Sequence, residues 1–177
     1  MDKALQKYGG KLLGGDCSKG DQKVISITAL GTLSPLRLHR SEAFPGDYLV
    51  TTGPHGLSRL GLALLLEEPL PPNQNLSKNL KAKAIKKHCH PKPPFEALNA
   101  LRLSKPKQIS WRAAGTDSSD GLLDAIYNIC SASNCQAVID HKKLPKHPEW
   151  PIGNEWDDWC LHGGEDFEMV VSLPPQW

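Results

Sequence analysis

The sequence has no hydrophobic run long enough to cross a membrane and no marked excess of charge of either sign. Its longest apolar stretch, residues 61–66, is far shorter than the about 18 to 20 residues that a spanning helix needs. The N-terminus lacks a basic region followed by an apolar run, so no export signal is expected. A formal net charge of +2 over 177 residues favours neither nucleic acid nor a membrane surface as a partner.

Cysteine occurs without the spacing of a metal site or a redox motif. The five cysteines include no Cys-x-x-Cys pair, and a reduced, cytoplasmic setting is the simpler expectation. The run His88-Cys89-His90 places three possible metal ligands side by side on a lysine-rich segment. Because structural zinc sites use spaced ligand pairs, an ordinary surface segment is favoured over zinc there.

Composition and pattern predict one main globular core. Hydrophobic residues make up 39% and charged residues 23% of the chain, as in ordinary globular proteins. Alternating or β-branched segments predict strands at 23–33, 47–52, 108–115, 135–140 and 167–173. Helical patterns predict helices at 57–68, 76–88, 93–103 and 119–133, with loops at 69–75 and 142–154. Interleaved strands and helices predict an α/β (α+β) domain with a layered mixed sheet and flanking helices.

Three short motifs combine carboxylates with glycine. They are Gly14-Gly15-Asp16, Asp117-Ser118-Ser119-Asp120-Gly121 and Gly163-Gly164-Glu165-Asp166. Glycine lets the backbone approach a ligand closely, and carboxylates are hard oxygen ligands for Mg²⁺, which itself favours phosphate oxygens. Binding of a magnesium nucleotide would explain all three motifs, although for the first and third an ordinary turn is the favoured alternative.

The middle motif is the most informative because a predicted strand precedes it and a predicted helix follows it. A helix N-terminus offers free N–H groups and a positive dipole end to phosphate. Asp117 and Asp120 are three residues apart and can face one side. Simple capping of the helix by Asp117, Ser118 or Ser119 would explain the same residues equally well. Arg40 offers a planar fork of donors suited to phosphate, but taken alone a solvated surface role is favoured.

Five segments, taken in order, resemble the successive motifs of the thiamine-monophosphate kinase family: GGDCS, ISITALG, HRSEAFPGD, DSSDGL and GGEDFEMVVSLPP. The resemblance spans nearly the whole chain. It implies the fold of the aminoimidazole-ribonucleotide synthetase-like superfamily, in which ATP binds between an N-terminal and a C-terminal α/β domain. Residues 1–36 would be the end of the N-terminal ATP- and magnesium-binding domain, and residues 37–177 an incomplete C-terminal domain.

The resemblance also implies a reaction and a set of roles. The reaction would be Mg²⁺-dependent transfer of the γ-phosphoryl group of ATP to thiamine monophosphate, giving thiamine diphosphate and ADP. No catalytic residue is implied beyond the metal and nucleotide ligands. The implied ATP contacts are Gly15, Asp16, Arg40 and Ser119; the implied magnesium ligands are Asp16, Asp117 and Asp120; the implied contact to thiamine monophosphate is Glu165.

The sequence departs from the family at both ends and leaves two alternatives open. The family's earlier aspartate-rich segment and a later substrate-stacking aromatic residue have no counterpart, and Cys17 replaces a usual threonine. A non-catalytic, Mg-nucleotide-binding remnant is therefore one alternative. A sister enzyme such as selenophosphate or aminoimidazole-ribonucleotide synthetase is the other, although the GGEDFEM run favours the thiamine branch. Full-length members are expected to be homodimers, and dimerisation of this chain is left open.

Overall fold

The computed structural model describes residues 2–33, 35–72 and 75–177. The chain divides into two compact units, Met1–Leu33 and Ser34–Trp177. This division falls close to the predicted boundary between residues 36 and 37, whose assignment to two family domains stays a prediction. None of the helices within the described ranges is long and apolar enough to span a membrane.

The first unit contains helix α1, Asp2–Tyr8, followed by chain without regular structure. The strand predicted at 23–33 is wrong, because no residue there is in a strand. Val24, Ile25 and Ile27 are all largely exposed. Their β-branched side chains favour an extended backbone, but a strand also needs a neighbouring strand to pair its N–H and C=O groups.

The second unit is a mixed α/β unit built around a small antiparallel sheet. Its strands are β1 (Tyr48–Thr51), β2 (Ala114–Asp117) and β3 (Met169–Leu173), in the order β1-β3-β2. Its helices are α2 (Leu57–Leu65), α3 (Lys78–Cys89), α4 (Phe95–Ser104), α5 (Leu122–Ser133) and α6 (Asn154–His162). Short 3-10 helices lie at Arg40–Glu42 and His141–Lys143.

The central strand β3 buries residues on both faces of the sheet. Val170 packs with Ile126 and Ile129 of α5, whereas its neighbour Val171 packs with Ala113 on the opposite face. Successive side chains of a strand point to opposite faces, so each valine serves a different core. The predicted layered arrangement of a sheet with flanking helices is confirmed.

Helices α2 and α3 form a separate, closely packed pair. Leu60 and Leu80 are fully buried between them, and Trp156 of α6 completes the cluster. A Cβ atom added at Gly61 would lie 2.3 Å from the carbonyl oxygen of Ala84. Only glycine therefore allows the two backbones to approach this closely.

Two further differences from the predicted elements lie after α5. The predicted strand at 135–140 is wrong, since that segment forms no strand and Val138 is almost fully exposed. Helix α6 was not predicted, because the proline-rich segment before it suggested only a loop. Its signal was nevertheless present: Trp156, Trp159 and Cys160 have the three- and four-residue spacing of one helical face.

Candidate functional site

The DSSDG motif connects strand β2 to helix α5. β2 ends at Asp117, and Gly121 precedes the first residue of α5 with φ of 116°. The motif therefore lies at a helix N-terminus, as predicted. Gly121 occupies the capping position without any side-chain cap, so the interpretation of the motif as a simple helix cap is wrong. The Asp117 carboxylate instead accepts the backbone N–H of Ser119 at 3.2 Å.

Asp117 and Arg40 lie on either side of Thr116. The Arg40 Nε atom donates to the Thr116 hydroxyl oxygen at 3.1 Å, and Asp117 follows Thr116 directly. Hydrogen bonding from Ser119 and the charge of Arg40 hold the pKa of Asp117 below its usual value, although partial burial opposes them. Asp117 is thus an exposed, ionised carboxylate with a guanidinium group close by.

The GGED loop packs directly against the DSSDG motif. The Glu165 N–H donates to the carbonyl oxygen of Ser119 at 2.7 Å. A Cβ atom added at Gly164 would lie 2.8 Å from that same oxygen, so the contact requires a glycine. Glu165 itself has φ of 65°, a left-handed conformation that costs free energy for a residue other than glycine. The packing therefore holds Glu165 in a defined and unfavourable backbone conformation.

The Glu165 side chain lies at the surface beside α3. It is 60% exposed, and its Oε2 atom lies 3.5 Å from Nδ1 of His88. The same ring nitrogen of His88 lies 3.0 Å from the Ser58 hydroxyl. Glu165 is thus accessible to a ligand while its backbone is fixed to Ser119.

Behind the two motifs lies a buried polar network that sequence reasoning did not find. The Ser118 hydroxyl lies 3.0 Å from Nε2 of His55 and accepts the Glu168 N–H at 3.1 Å. The Glu168 carboxylate accepts from Lys87 and from Thr52 at 2.5 Å each. Lys87 belongs to the lysine-rich helix α3, yet its side chain is only 18% exposed.

Burial strongly affects the protonation of His55. The side chain is fully buried, and this burial lowers its pKa to about 4. His55 is therefore neutral near pH 7. Because one lone residue carries no pattern, only a comparison of many related sequences could have singled it out.

Asp166, the last residue of the GGED motif, binds the start of α2. Its carboxylate accepts the Gly56 N–H at 2.6 Å and the Ser58 N–H at 2.8 Å. Burial raises the pKa of Asp166 to about 6, although these two hydrogen bonds oppose the change. Its role is to fix the GGED loop to a helix N-terminus, where the helix dipole also favours a carboxylate.

The remaining predicted site residues lie in other surroundings. Gly15 and Asp16 belong to the first unit, where the Asp16 carboxylate accepts the Cys17 N–H at 2.8 Å. Asp120 is exposed. In residues 2–33, 35–72 and 75–177, no group of three or more His, Cys, Asp or Glu side chains is arranged to hold a metal ion. The predicted magnesium set of Asp16, Asp117 and Asp120 stays a prediction.

The fold and the site together define a class: an α/β unit in which two acidic glycine motifs meet at a helix N-terminus. No family model matches the chain. Among curated proteins it is 64% identical, over 98% of its length, to the thiamine-monophosphate kinase of Prochlorococcus marinus, of which it covers 52%. It is 42% identical, over its whole length, to that of Synechococcus elongatus, of which it covers 53%. The chain is therefore a homologue of thiamine-monophosphate kinases and spans about half the length of the curated relatives it matches.

Solved structures give the same result for the fold. The thiamine-monophosphate kinase of Stenotrophomonas maltophilia has a TM-score of 0.64 at 25% identity, over 80% of this chain and 44% of that one. The enzyme of Aquifex aeolicus has a TM-score of 0.60 at 24% identity, over 79% and 46%. AaThiL complexed with AMPPCP and TMP also has a TM-score of 0.60, at 23% identity, over 79% and 43%. The predicted α/β fold class is confirmed by this similarity, and the assignment of residues 37–177 to a C-terminal domain like that of aminoimidazole-ribonucleotide synthetase stays a prediction.

Proposed function

We propose that this chain is part of a thiamine-monophosphate kinase, which transfers the γ-phosphoryl group of ATP to thiamine monophosphate and releases thiamine diphosphate and ADP. The observation that carries the proposal is the 64% identity to the Prochlorococcus enzyme over 98% of the chain. AaThiL, which shares the fold, is complexed with AMPPCP, an ATP analogue, and TMP. The activity would belong to thiamine biosynthesis.

Nucleotide phosphates would bind at the N-terminal end of α5. Its first N–H groups are free of side-chain caps, and such groups together with the helix dipole favour anions. Arg40 lies beside this helix end through its bond to Thr116, where its positive charge would neutralise phosphate oxygens. Ser119 lies in the connecting loop, within reach of the same ligand. The ATP contacts of Gly15 and Asp16, which the resemblance implies, stay predictions.

Magnesium fits the chemistry of Asp117 and Asp120. Both carboxylates are exposed, and Asp117 stays ionised because its pKa is lowered by Ser119 and Arg40. Mg²⁺ is commonly bound by one or two carboxylates together with several waters and substrate phosphates. Asp117 and Asp120 would therefore supply enough protein ligands for such a site. The magnesium role of Asp16 stays a prediction. When bound, the ion would neutralise charge on the transferring phosphoryl group.

Thiamine monophosphate would contact Glu165. The backbone of Glu165 is held by Ser119, while its side chain is exposed beside the DSSDG motif. A substrate bound to this carboxylate would therefore lie next to the proposed nucleotide site. In-line transfer needs the two reactants in such proximity. Homodimer formation and a cytoplasmic location stay predictions.

The test is formation of thiamine diphosphate in two settings. The purified 177-residue chain is assayed with MgATP and thiamine monophosphate, and so is a chimera in which it replaces the matching half of the Prochlorococcus enzyme. Turnover by the chimera is expected. The variant Asp117→Asn in the chimera should lose at least about 100-fold in kcat, whereas Asp124→Asn, an exposed carboxylate in the first turn of the same helix, should keep it.

The remnant alternative makes the opposite prediction for the chimera. Saturable binding of ATP without any turnover, although the Prochlorococcus half supplies the rest of the enzyme, would identify the chain as a non-catalytic remnant. Turnover with other phosphoryl acceptors, but none with thiamine monophosphate, would support a sister enzyme instead.

A further inference from the structure

The C-terminal end of α5 brings two cysteines together. Asn134 follows the helix in the left-handed conformation, and its N–H bonds to the carbonyls of Cys130 and Ser131. The next N–H, that of Cys135, donates to the Cys130 carbonyl at 3.0 Å. This is the hydrogen-bond pattern of a Schellman motif, in which the side chains at the positions of Cys130 and Cys135 usually make a hydrophobic contact.

Cys130 and Cys135 fill those two positions with thiols. Both are half-buried and pack against the core that α5 forms with the sheet. Burial raises the pKa of the Cys130 thiol, and so do the charge and the hydrogen bond of the Cys135 thiol. The helix cap fixes the backbones that carry the two thiols, and both side chains pack against the same core cluster.

The two thiols are also accessible. Both line a cavity of about 450 Å³, together with residues of β1 and of the segment after α5. By contrast, Cys160 is fully buried, and this burial raises its pKa to about 12. Cys17 and Cys89 are exposed. Within the described residues, only Cys130 and Cys135 are thiols joined to each other by a turn.

We propose that Cys130 and Cys135 form a reversible dithiol–disulfide site that low-molecular-weight disulfides oxidise. One thiolate attacks a sulfur of the oxidant RSSR and releases RS⁻, which leaves a mixed disulfide on the protein. The second cysteine then attacks the protein sulfur of that mixed disulfide and releases the other RS⁻. The two thiols lose two electrons and two protons in total, and these appear in two molecules of RSH.

Closure of this disulfide would act on the segment that carries Arg40. Ser133, inside the same turn, donates its hydroxyl to the Arg40 carbonyl oxygen at 2.7 Å and accepts the Ala43 N–H at 3.1 Å. A covalent link between Cys130 and Cys135 would hold Ser133 in place. The redox state of the two cysteines would therefore change the mobility of the 3-10 helix at Arg40–Glu42. This effect does not depend on the proposed kinase activity.

The experiment uses the whole chain carrying Cys17→Ser and Cys89→Ser, so that the exposed single thiols do not react. The protein is equilibrated in buffers of oxidised and reduced glutathione, quenched with acid, alkylated and digested with trypsin. The peptide 113–142 contains both cysteines of the turn and no other. The expected product is an unalkylated peptide with no bound glutathione and a mass two hydrogens below that of the dithiol form. The fraction of this product should change reversibly with the ratio of oxidised to reduced glutathione.

Two results would overturn the proposal. One is a stable glutathione adduct on Cys130 or Cys135 without closure. The other is full alkylation of both cysteines under conditions in which Cys89 of the unmodified chain is glutathionylated. As an independent reading, hydrogen exchange at the Cys135 amide should slow several-fold on oxidation, while exchange in α2 should not change.

Discussion

The Glu165 backbone N–H donates a 2.7 Å hydrogen bond to the carbonyl oxygen of Ser119. This single contact joins two acidic motifs that lie far apart in the sequence, and Gly164 makes it possible by leaving room for the Ser119 carbonyl. The candidate phosphate site and the candidate substrate residue are therefore held by one loop junction, so a change there should affect both.

Gly164→Ala should disrupt this junction. The added methyl group would lie 2.8 Å from the Ser119 oxygen. Because the methyl carbon is bonded directly to one backbone and the oxygen belongs to another, neither can rotate away and the structure must shift. The free energy of unfolding should fall by about 1 to 3 kcal/mol, measured by urea denaturation. Gly31→Ala is the control, since no heavy atom lies within 4 Å of the added methyl group. Equal stability of the two variants would contradict the close contact.

Asp166→Ala should destabilise the start of α2. The change leaves the N–H groups of Gly56 and Ser58 without their carboxylate partner, and a buried unpaired donor costs about 1 to 3 kcal/mol. We expect a loss of about 2 kcal/mol or more in the free energy of unfolding. Asp158→Ala, at a side chain that is 64% exposed, should change it by less than about 0.5 kcal/mol. Similar losses in the two variants would show that Asp166 does not act as a cap.

The pattern of neighbouring residues correctly predicted the elements that depend mainly on their local sequence. Helices α2, α3 and α5 carry apolar side chains at helical spacing, and β1 and β3 were predicted within two residues of their observed bounds. The segments 23–33 and 135–140 look equally strand-like but form no strand. Strand formation depends on a partner elsewhere in the chain, and a local window contains no information about that partner.

The site was predictable in part for a similar reason. Glycine and carboxylate motifs are visible in a sequence, and their position between a strand and a helix predicted the N-terminus of α5. His55, Lys87 and Glu168 are single residues whose importance arises from burial beside Ser118. Lys87 lies three residues after Ala84 and seven after Leu80, the buried residues of α3, so helical spacing places it on the buried side of that helix. The sequence does not show that Glu168 is its partner.

His55 should make stability depend on pH. Because burial lowers its pKa to about 4, the unfolded chain binds more protons between about pH 4 and 6.5, and stability is lost as pH falls through that range. Asp166 acts in the opposite sense, because burial raises its pKa to about 6, so the folded state binds the additional proton between about pH 4 and 6. The two effects should largely cancel in the unmodified chain.

Variants of each residue separate the two effects. Relative to the unmodified chain, His55→Gln should become less stable by about 2 kcal/mol as pH rises from about 4 to 6, and Asp166→Asn should become more stable by a similar amount. Urea denaturation at several pH values measures both slopes. Parallel plots of the free energy of unfolding against pH for the unmodified chain and the two variants would show that neither buried group titrates as described.

The buried ion pair of Lys87 and Glu168 should show strong coupling. Glu168→Gln leaves the Lys87 ammonium, whose side chain is 18% exposed, without its counter-charge, and breaking a buried pair in this way costs about 3 kcal/mol. Adding Lys87→Met to that variant removes the unpaired charge and should restore at least about 1 kcal/mol. Glu68→Gln breaks the more exposed pair with Arg59 and should cost no more than about 1 kcal/mol. If the double variant is no more stable than Glu168→Gln alone, the ion pair does not stabilise the buried polar network next to the two motifs. The backbone hydrogen bonds between Glu168 and Ser118 must then stabilise it instead.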